Sequence, residues 1–182
     1  SVYSHLEQEH DWMTKLQGSY KMLNESIRHL QTAGVEIRFN SVVTKRNMFY
    51  FNDIIDFAEN IGATEVRILK LIRHGRADNC WEDIGVTGQN YTNVVLNALK
   101  RKIKLRITAS GAIDILPCRY GCKTQICPAG ESLIYVTNNG DIFPCASVKR
   151  KAEYKIGNIG EIDIVKKWHV FQTKLDGEML CK

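Results

Sequence analysis

The residues best suited to chemistry are Cys118, Cys122, Cys127 and Cys145, four of the six cysteines in the chain. Their spacing is C-x3-C-x4-C-x17-C. Thiolates are ligands of soft metals, and four of them supplied by loops and turns can bind a zinc ion or an iron–sulfur cluster. Cys80 stands apart from this group in a polar stretch, and we expect it to play no part in such a site.

The segment between Cys127 and Cys145 is predicted to form a β-hairpin. Residues 132–137 and Asp141–Phe143 are β-prone, and the Asn-Gly pair that ends at Gly140 is a strong signal for a tight turn. A hairpin brings its two ends together, so we expect Cys127 and Cys145 to be neighbours. The loop that carries the other two cysteines contains proline and glycine and can fold back towards them.

Composition indicates an ordinary globular protein of 182 residues, of which 44% are hydrophobic and 25% charged. No apolar stretch is long enough to span a bilayer, and the first residues do not form a signal peptide. We therefore expect a cytoplasmic protein without membrane contact, in which clustered cysteines are metal ligands or reactive thiols rather than disulfides. The net charge of +5 is dispersed, so we expect no nucleic-acid partner.

The first part of the chain alternates helical and β-type patterns. Gly34 and Gly62 stand where two of the helices should end. The residues after Tyr3 are polar and predict a loop. We expect helices at about 19–33, 52–61 and 91–100, the second capped by Asn52, and strands at about 35–43, 66–72 and 103–107.

Three successive helix–strand units imply a parallel sheet, because parallel strands need a crossover connection. After Thr108 the helical periodicity stops, and cysteines and turn residues take over. The sequence therefore predicts an α/β fold over residues 1–109 and a small cysteine-rich domain over residues 110–182.

The cysteine-rich part resembles the SPASM domain, a C-terminal iron–sulfur extension of radical S-adenosylmethionine enzymes. The resemblance rests on Cys127-Pro-Ala-Gly, Gly140-x4-Cys145, Gly157-Asn158-Ile159 and Trp168. It implies an auxiliary 4Fe-4S cluster with ligands among Cys118, Cys122, Cys127 and Cys145. Of the first pair, Cys118 is the more dispensable, because Cys122 alone can serve with Cys127 and Cys145 while a downstream cysteine completes the set; which of the two is the ligand stays open. Cys181 stands where a second cysteine run of the family would begin.

The first part is similar to the later half of the partial TIM barrel in the same enzymes. The matching residues are His10-Asp11, Gly18-Ser19-Tyr20, Ala33-Gly34-Val35, Thr44, Asn47, Gly62-Ala63, Val66-Arg67 and Gly75-Arg76-Ala77. The resemblance implies that Ser1, Asn40 and Leu69 line the S-adenosylmethionine pocket at the barrel mouth. The C-x3-C-x2-C triplet of the radical-generating cluster is absent. We therefore expect the later barrel units followed by a truncated SPASM domain.

The function implied by this resemblance is that of a radical S-adenosylmethionine enzyme that modifies a peptide or small protein. The intact enzyme would abstract hydrogen with a 5′-deoxyadenosyl radical and draw electrons from a flavodoxin- or ferredoxin-type reductant. The residues identify no catalytic group, and residues 1–182 alone are expected to be inactive. The alternative is a zinc-ribbon binding module on an α/β scaffold.

Overall fold

Three parallel strands with helices packed against one face organise the first part of the molecule. The computed structural model describes residues 1–110, 129, 133–161, 163 and 164. The chain divides into two compact units, Ser1–Tyr120 and Gly121–Lys182. The elements of the first unit are α1 (Glu7–Thr14), α2 (Ser19–Thr32), β1 (Arg38–Val43), α3 (Phe51–Asn60), β2 (Glu65–Lys70), α4 (Arg76–Asn79), α5 (Trp81–Ile84), α6 (Gly88–Leu99) and β3 (Arg106–Ala109).

The sheet has the order β1-β2-β3, and both strand pairs are parallel. Side chains alternate between the two faces of a strand, and every second residue of β1 is buried. The buried face packs against α2, α3 and α6 to form one apolar cluster. Its members include Ile27, Phe39, Val43, Ile54, Ile55, Val66, Ile68, Val94 and Val95. The mixed α/β prediction is therefore confirmed for this unit.

Two of the predicted helix ends are confirmed in detail. Gly34 has a φ of 67° and Gly62 a φ of 74°, in the left-handed region that favours glycine. The amide of Val35 donates to the carbonyl of Leu30 at 2.9 Å, which closes the last turn of α2. Glycine at these positions lets the chain reverse towards the following strand.

Other boundaries differ from the predictions. The polar residues after Tyr3 were expected to form a loop, but they include α1. Asn52 is not an N-cap, because α3 already begins at Phe51, whose side chain is buried. β1 begins at Arg38 rather than at residue 35, and β3 covers Arg106–Ala109 rather than residues 103–107.

The second unit contains an antiparallel meander of β4 (Tyr135–Val136), β5 (Asp141–Phe143) and β6 (Gly157–Asn158). Short 3-10 turns lie at Ala146–Val148 and Ala152–Tyr154. A few buried side chains form its apolar centre, namely Ile142, Phe143, Cys145, Val148 and Ile156. The predicted pairing across the Asn-Gly turn is present. The predicted helix around Trp168 lies outside the described residues.

Candidate metal and cofactor sites

Cys145 is a buried free thiol at the exit of the β4–β5 hairpin. Only 8% of its surface is exposed, and Pro144 before it is fully buried. Its backbone is extended, with φ −160° and ψ 168°, and leads directly into the Ala146–Val148 turn. A buried thiol held by a strand end and a turn is suited to ligating a soft metal centre.

The hairpin that leads to Cys145 is fastened by Asn158 of β6. Its Nδ2 donates to the carbonyl of Asn139 at 2.8 Å and to Oδ1 of Asp141 at 3.1 Å. Its Oδ1 accepts from the amide of Gly160 at 3.0 Å. One side chain thus ties the turn, the start of β5 and the segment after β6 together. Sequence reasoning gave Asn158 no such role.

Gly140 is required at this turn for two physical reasons. Its φ of 82° lies in the left-handed region, where a side chain is strained. A Cβ on this residue would also stand 3.0 Å from Oδ1 of Asn158, which is tighter than nine in ten real Cβ contacts, so the asparagine side chain would have to shift. The glycine and the asparagine of the SPASM-like pattern therefore pack directly against each other.

A charged pair further fixes β5. Nζ of Lys155 lies 2.6 Å from Oδ1 of Asp141. The hydrogen bonds from Lys155 and Asn158 hold the pKa of Asp141 below its ordinary value. Both contacts reach the first residue of the strand that ends beside Cys145.

The other predicted metal ligands, Cys118, Cys122, Cys127 and Cys181, lie outside the described residues. Within the described ranges no group of three histidine, cysteine or acidic residues is placed to hold a metal. Cys80 lies in the first unit, where its thiol donates to the carbonyl of Arg76 at 3.3 Å. The convergence of the four central cysteines stays a prediction, to which the structure adds the position of Cys145.

The carboxyl ends of the parallel strands are clamped by buried side chains. Nδ2 of Asn47 donates to the carbonyls of Tyr3 and Val42, both at 2.9 Å. The single hydroxyl hydrogen of Tyr91 is shared between the carbonyls of Ser110 at 2.6 Å and Ile68 at 3.1 Å. Burial raises the pKa of Tyr91, so the phenol remains a proton donor. Two side chains thus bond four backbone carbonyls at this edge of the sheet.

The residues predicted for the cofactor pocket lie on neighbouring segments. The amide of Val2, next to Ser1, donates to the carbonyl of Asn40 at 2.9 Å, which aligns the start of the chain with β1. Asn40 is exposed in the middle of β1, and half-buried Leu69 lies near the end of β2. Alternation places the side chains of Asn40 and Leu69 on the same face, opposite the helices.

The His10-Asp11 pair orders the start of α2. The Asp11 carboxylate accepts from the amide of Gly18 at 2.6 Å, the hydroxyl of Ser19 at 2.7 Å and the amide of Tyr20 at 2.8 Å. These bonds satisfy helix N-terminal donors, as a capping side chain does. Burial lowers the pKa of His10, against the smaller upward effects of the Ser1 carbonyl and of Asp11.

Sequence reasoning missed a row of charged residues on the open face of the sheet. Arg38 and Glu65 lie in the first row of cross-strand partners, together with Arg106 of β3. Arg67 lies in the next row. The signal was present in the sequence for β2, where the charged Glu65 and Arg67 alternate with the buried Val66 and Ile68. The register that aligns the three strands could not be read from the sequence.

Comparison with known proteins covers both units. Residues 127–174 match the SPASM family, an iron–sulfur cluster-binding domain. The chain is 24% identical over 178 residues to the AdoMet-dependent heme synthase of Oleidesulfovibrio alaskensis, covering 87% of this chain and 45% of that protein. It is 24% identical over 132 residues to the mycofactocin maturase MftC of Mycobacterium tuberculosis, covering 70% and 33%.

Among solved structures, Streptococcus suis SuiB bound to the precursor peptide SuiA aligns with a TM-score of 0.54 at 15% identity. The alignment covers 85% of this chain and 37% of SuiB, and it supports the α/β fold. The chain thus spans about half the length of the heme synthase and a third of that of the maturase. In the described part of the chain no helix combines the length and apolarity needed to cross a membrane.

Proposed function

The chain belongs with the radical S-adenosylmethionine enzymes that carry a SPASM domain, and from this premise we propose that it is the later part of an enzyme that modifies a peptide or small protein. The family's cofactors are an iron–sulfur cluster and S-adenosylmethionine. When bound to the intact enzyme, S-adenosylmethionine supplies a 5′-deoxyadenosyl radical for hydrogen abstraction from the substrate. The chain's own residues supply binding, orientation and cluster ligands.

The observation that carries the proposal is the position of Cys145. It is buried, free and placed at the end of a short strand, inside the range that matches the SPASM family. A buried thiol without a disulfide partner is suited to a closed metal centre. We propose Cys118, Cys122, Cys127 and Cys145 as cluster ligands, with Cys181 serving a further cysteine run.

The domain organisation follows the same proposal. Residues 1–109 form the later units of a partial barrel, supported by the three parallel strands with helices on one face. Residues 110–182 form the SPASM-type domain. We place the S-adenosylmethionine pocket at Ser1, Asn40 and Leu69, because the start of the chain runs beside β1 and the latter two side chains share the open face.

A peptide substrate is supported by two of the similar proteins. One is a maturase, and the other is SuiB, whose structure contains a precursor peptide. We propose a flavodoxin- or ferredoxin-type protein as the electron donor and the cytoplasm as the compartment, since a reducing environment keeps cluster thiols available. A heme synthase is also among the relatives.

The metal content of the chain tests this function. Protein purified without oxygen is expected to be brown and to contain iron and acid-labile sulfide in equal amounts. Zinc without sulfide would refute the proposal and establish the zinc-ribbon alternative. Because the sequence has no C-x3-C-x2-C triplet, residues 1–182 are expected to give no 5′-deoxyadenosine with dithionite and S-adenosylmethionine. Formation of that product, lost on Cys122→Ala, would show that the cysteines serve a different cluster.

A further inference from the structure

The open face of the parallel sheet is polar, although parallel sheets are normally covered on both faces. Towards the helices, β1 and β2 present buried apolar residues such as Phe39 and Ile68. On the opposite face stand residues that are exposed or half-buried. They are Arg38, Asn40 and Val42 of β1, Glu65, Arg67 and Leu69 of β2, and Arg106 and Thr108 of β3.

The register of the strands aligns these residues in rows. Asn40, Arg67 and Thr108 are direct partners across β1, β2 and β3. Neighbouring strands lie about 4.8 Å apart, so an amide, a guanidinium and a hydroxyl stand side by side over about 10 Å. Arg67 occupies the centre of this row, on the central strand of the sheet.

Positive charge on this face exceeds the negative charge that could neutralise it. Glu65 is the acidic residue of the two rows, against Arg38, Arg67 and Arg106. Its carboxylate accepts from the hydroxyl of Thr108 at 2.7 Å and lies 3.9 Å from Nη1 of Arg38. The hydrogen bond from Thr108 lowers the pKa of Glu65 most, and the three guanidiniums add to it.

The arginines differ in how they are paired. Arg38 donates two hydrogen bonds, at 3.0 and 3.1 Å, to the carboxylate of Glu36. Arg67 has no hydrogen bond or ion pair from its guanidinium within the described residues. A guanidinium at the centre of a sheet face needs an anionic partner once that face is covered, because a buried unpaired charge is strongly unfavourable.

We propose that Arg67, flanked by Asn40 and Thr108, binds the carboxylate of an acidic side chain in the peptide substrate. This inference rests on the peptide-modifying function proposed above and adds a substrate feature to it. Guanidinium groups bind carboxylates through two parallel hydrogen bonds, and an adjacent amide can donate a third. Glu65, two residues away on the same face, favours a singly charged carboxylate over a doubly charged phosphate, because like charges repel.

Titration with matched peptides tests the proposal. The probes are two end-capped pentapeptides of otherwise uncharged residues that differ only in a central glutamate or glutamine, added to the full chain at neutral pH and low ionic strength. The readout is the set of arginine Nε–Hε NMR signals, in which the Arg67 signal is identified by its loss in Arg67→Gln. We expect the glutamate peptide to shift this signal and to bind about tenfold more tightly than the glutamine peptide.

Arg67→Gln is expected to remove this tenfold preference, and Arg67→Lys to keep part of it. The matched control is Arg28→Gln, which removes the same charge from an exposed position on α2. Equal weakening by Arg28→Gln and Arg67→Gln would show that only net charge matters and would overturn the proposal. Equal binding of the two peptides to the parent chain would overturn it as well. Asn40 is left unchanged because it also belongs to the proposed cofactor pocket.

The metal content of the same preparations separates this inference from the function on which it rests. A chain with iron and sulfide that does not distinguish glutamate from glutamine would overturn the Arg67 site alone. A chain with zinc that still prefers the glutamate peptide through Arg67 would refute the radical enzyme and leave a carboxylate-binding face.

Discussion

Replacement of Gly140 with alanine is expected to accelerate the loss of iron from the SPASM-type domain. Gly140 holds the turn between β4 and β5 at a φ of 82°. β5 begins directly after Gly140 and ends at Phe143, two residues before Cys145. A distortion of the turn is therefore transmitted along this short strand to a proposed ligand. The domain has few buried apolar side chains to resist such a distortion.

The magnitude follows from two contributions. A non-glycine residue in the left-handed region costs about 1–2 kcal/mol. The new Cβ would also lie 3.0 Å from Oδ1 and 3.2 Å from Nδ2 of Asn158, whose side chain is fixed by three hydrogen bonds. Moving that side chain away would sacrifice a hydrogen bond worth about 1 kcal/mol. The sum of about 2–3 kcal/mol would raise the population of the opened hairpin roughly 30- to 150-fold.

The assay is the rate at which a coloured iron chelator captures iron from anaerobically purified protein. If the cluster is lost through opening of the hairpin, this rate should rise with the opened population. Gly160→Ala is the matched control in the same domain. Gly160 does not have a left-handed φ, and its added Cβ would make an ordinary contact of 3.5 Å with the same Asn158. Equal rates for the two variants would refute the link between the turn and the cluster.

Three further predictions concern the first unit. Tyr91→Phe should lower the free energy of urea unfolding by about 1–2 kcal/mol because the Ser110 carbonyl loses its donor, and an unchanged urea midpoint would contradict this. Ile54→Ala should cost about 2–5 kcal/mol because this side chain is fully buried, whereas exposed Met22→Ala should cost little; similar losses would argue against the packing. His10 has a lowered pKa, so the unfolded state binds its proton more tightly, and stability should fall as the pH drops through about 6.5. His10→Asn should flatten this pH dependence of the urea midpoint, and parallel curves for the two proteins would show that another group is responsible.

The parallel sheet and the helix ends could be predicted because they depend on local signals. Gly34 and Gly62 end their helices through a backbone conformation that their neighbours cannot adopt without strain. The apolar periodicity of α3 and α6 identifies the face that packs on the sheet. The Asn-Gly turn likewise specifies the pairing of β4 with β5.

The elements that were missed depend on tertiary contacts. α1 has a polar sequence, and its buried residue is His10, which packs between the rings of Tyr3 and Tyr20. The sequence of α1 has no apolar periodicity from which a helix could be predicted. β3 begins where the amide of Arg106 donates to the carbonyl of Thr64, a partner that the local sequence does not reveal.

The candidate site could be predicted only in part for the same reason. The hairpin pattern was sufficient to place Cys145 at a strand exit, where it proves to be buried. The hydrogen bonds that Asn158 makes to the turn and to β5 could not be inferred, because they depend on the register between β5 and β6. Arg67 was visible as a charged residue in a strand, but its neighbours on the open face depend on the register of the three strands.

The most direct test of the central claim is the iron and sulfide content of Cys145→Ala beside that of Cys80→Ala, both purified without oxygen. Cys80 is the matched control because it is the other free cysteine among the described residues and lies in the first unit. The account predicts that Cys80→Ala keeps the parent's iron and sulfide, whereas Cys145→Ala loses most of both. Full iron and sulfide in Cys145→Ala would contradict the assignment of a SPASM-type cluster to this thiol.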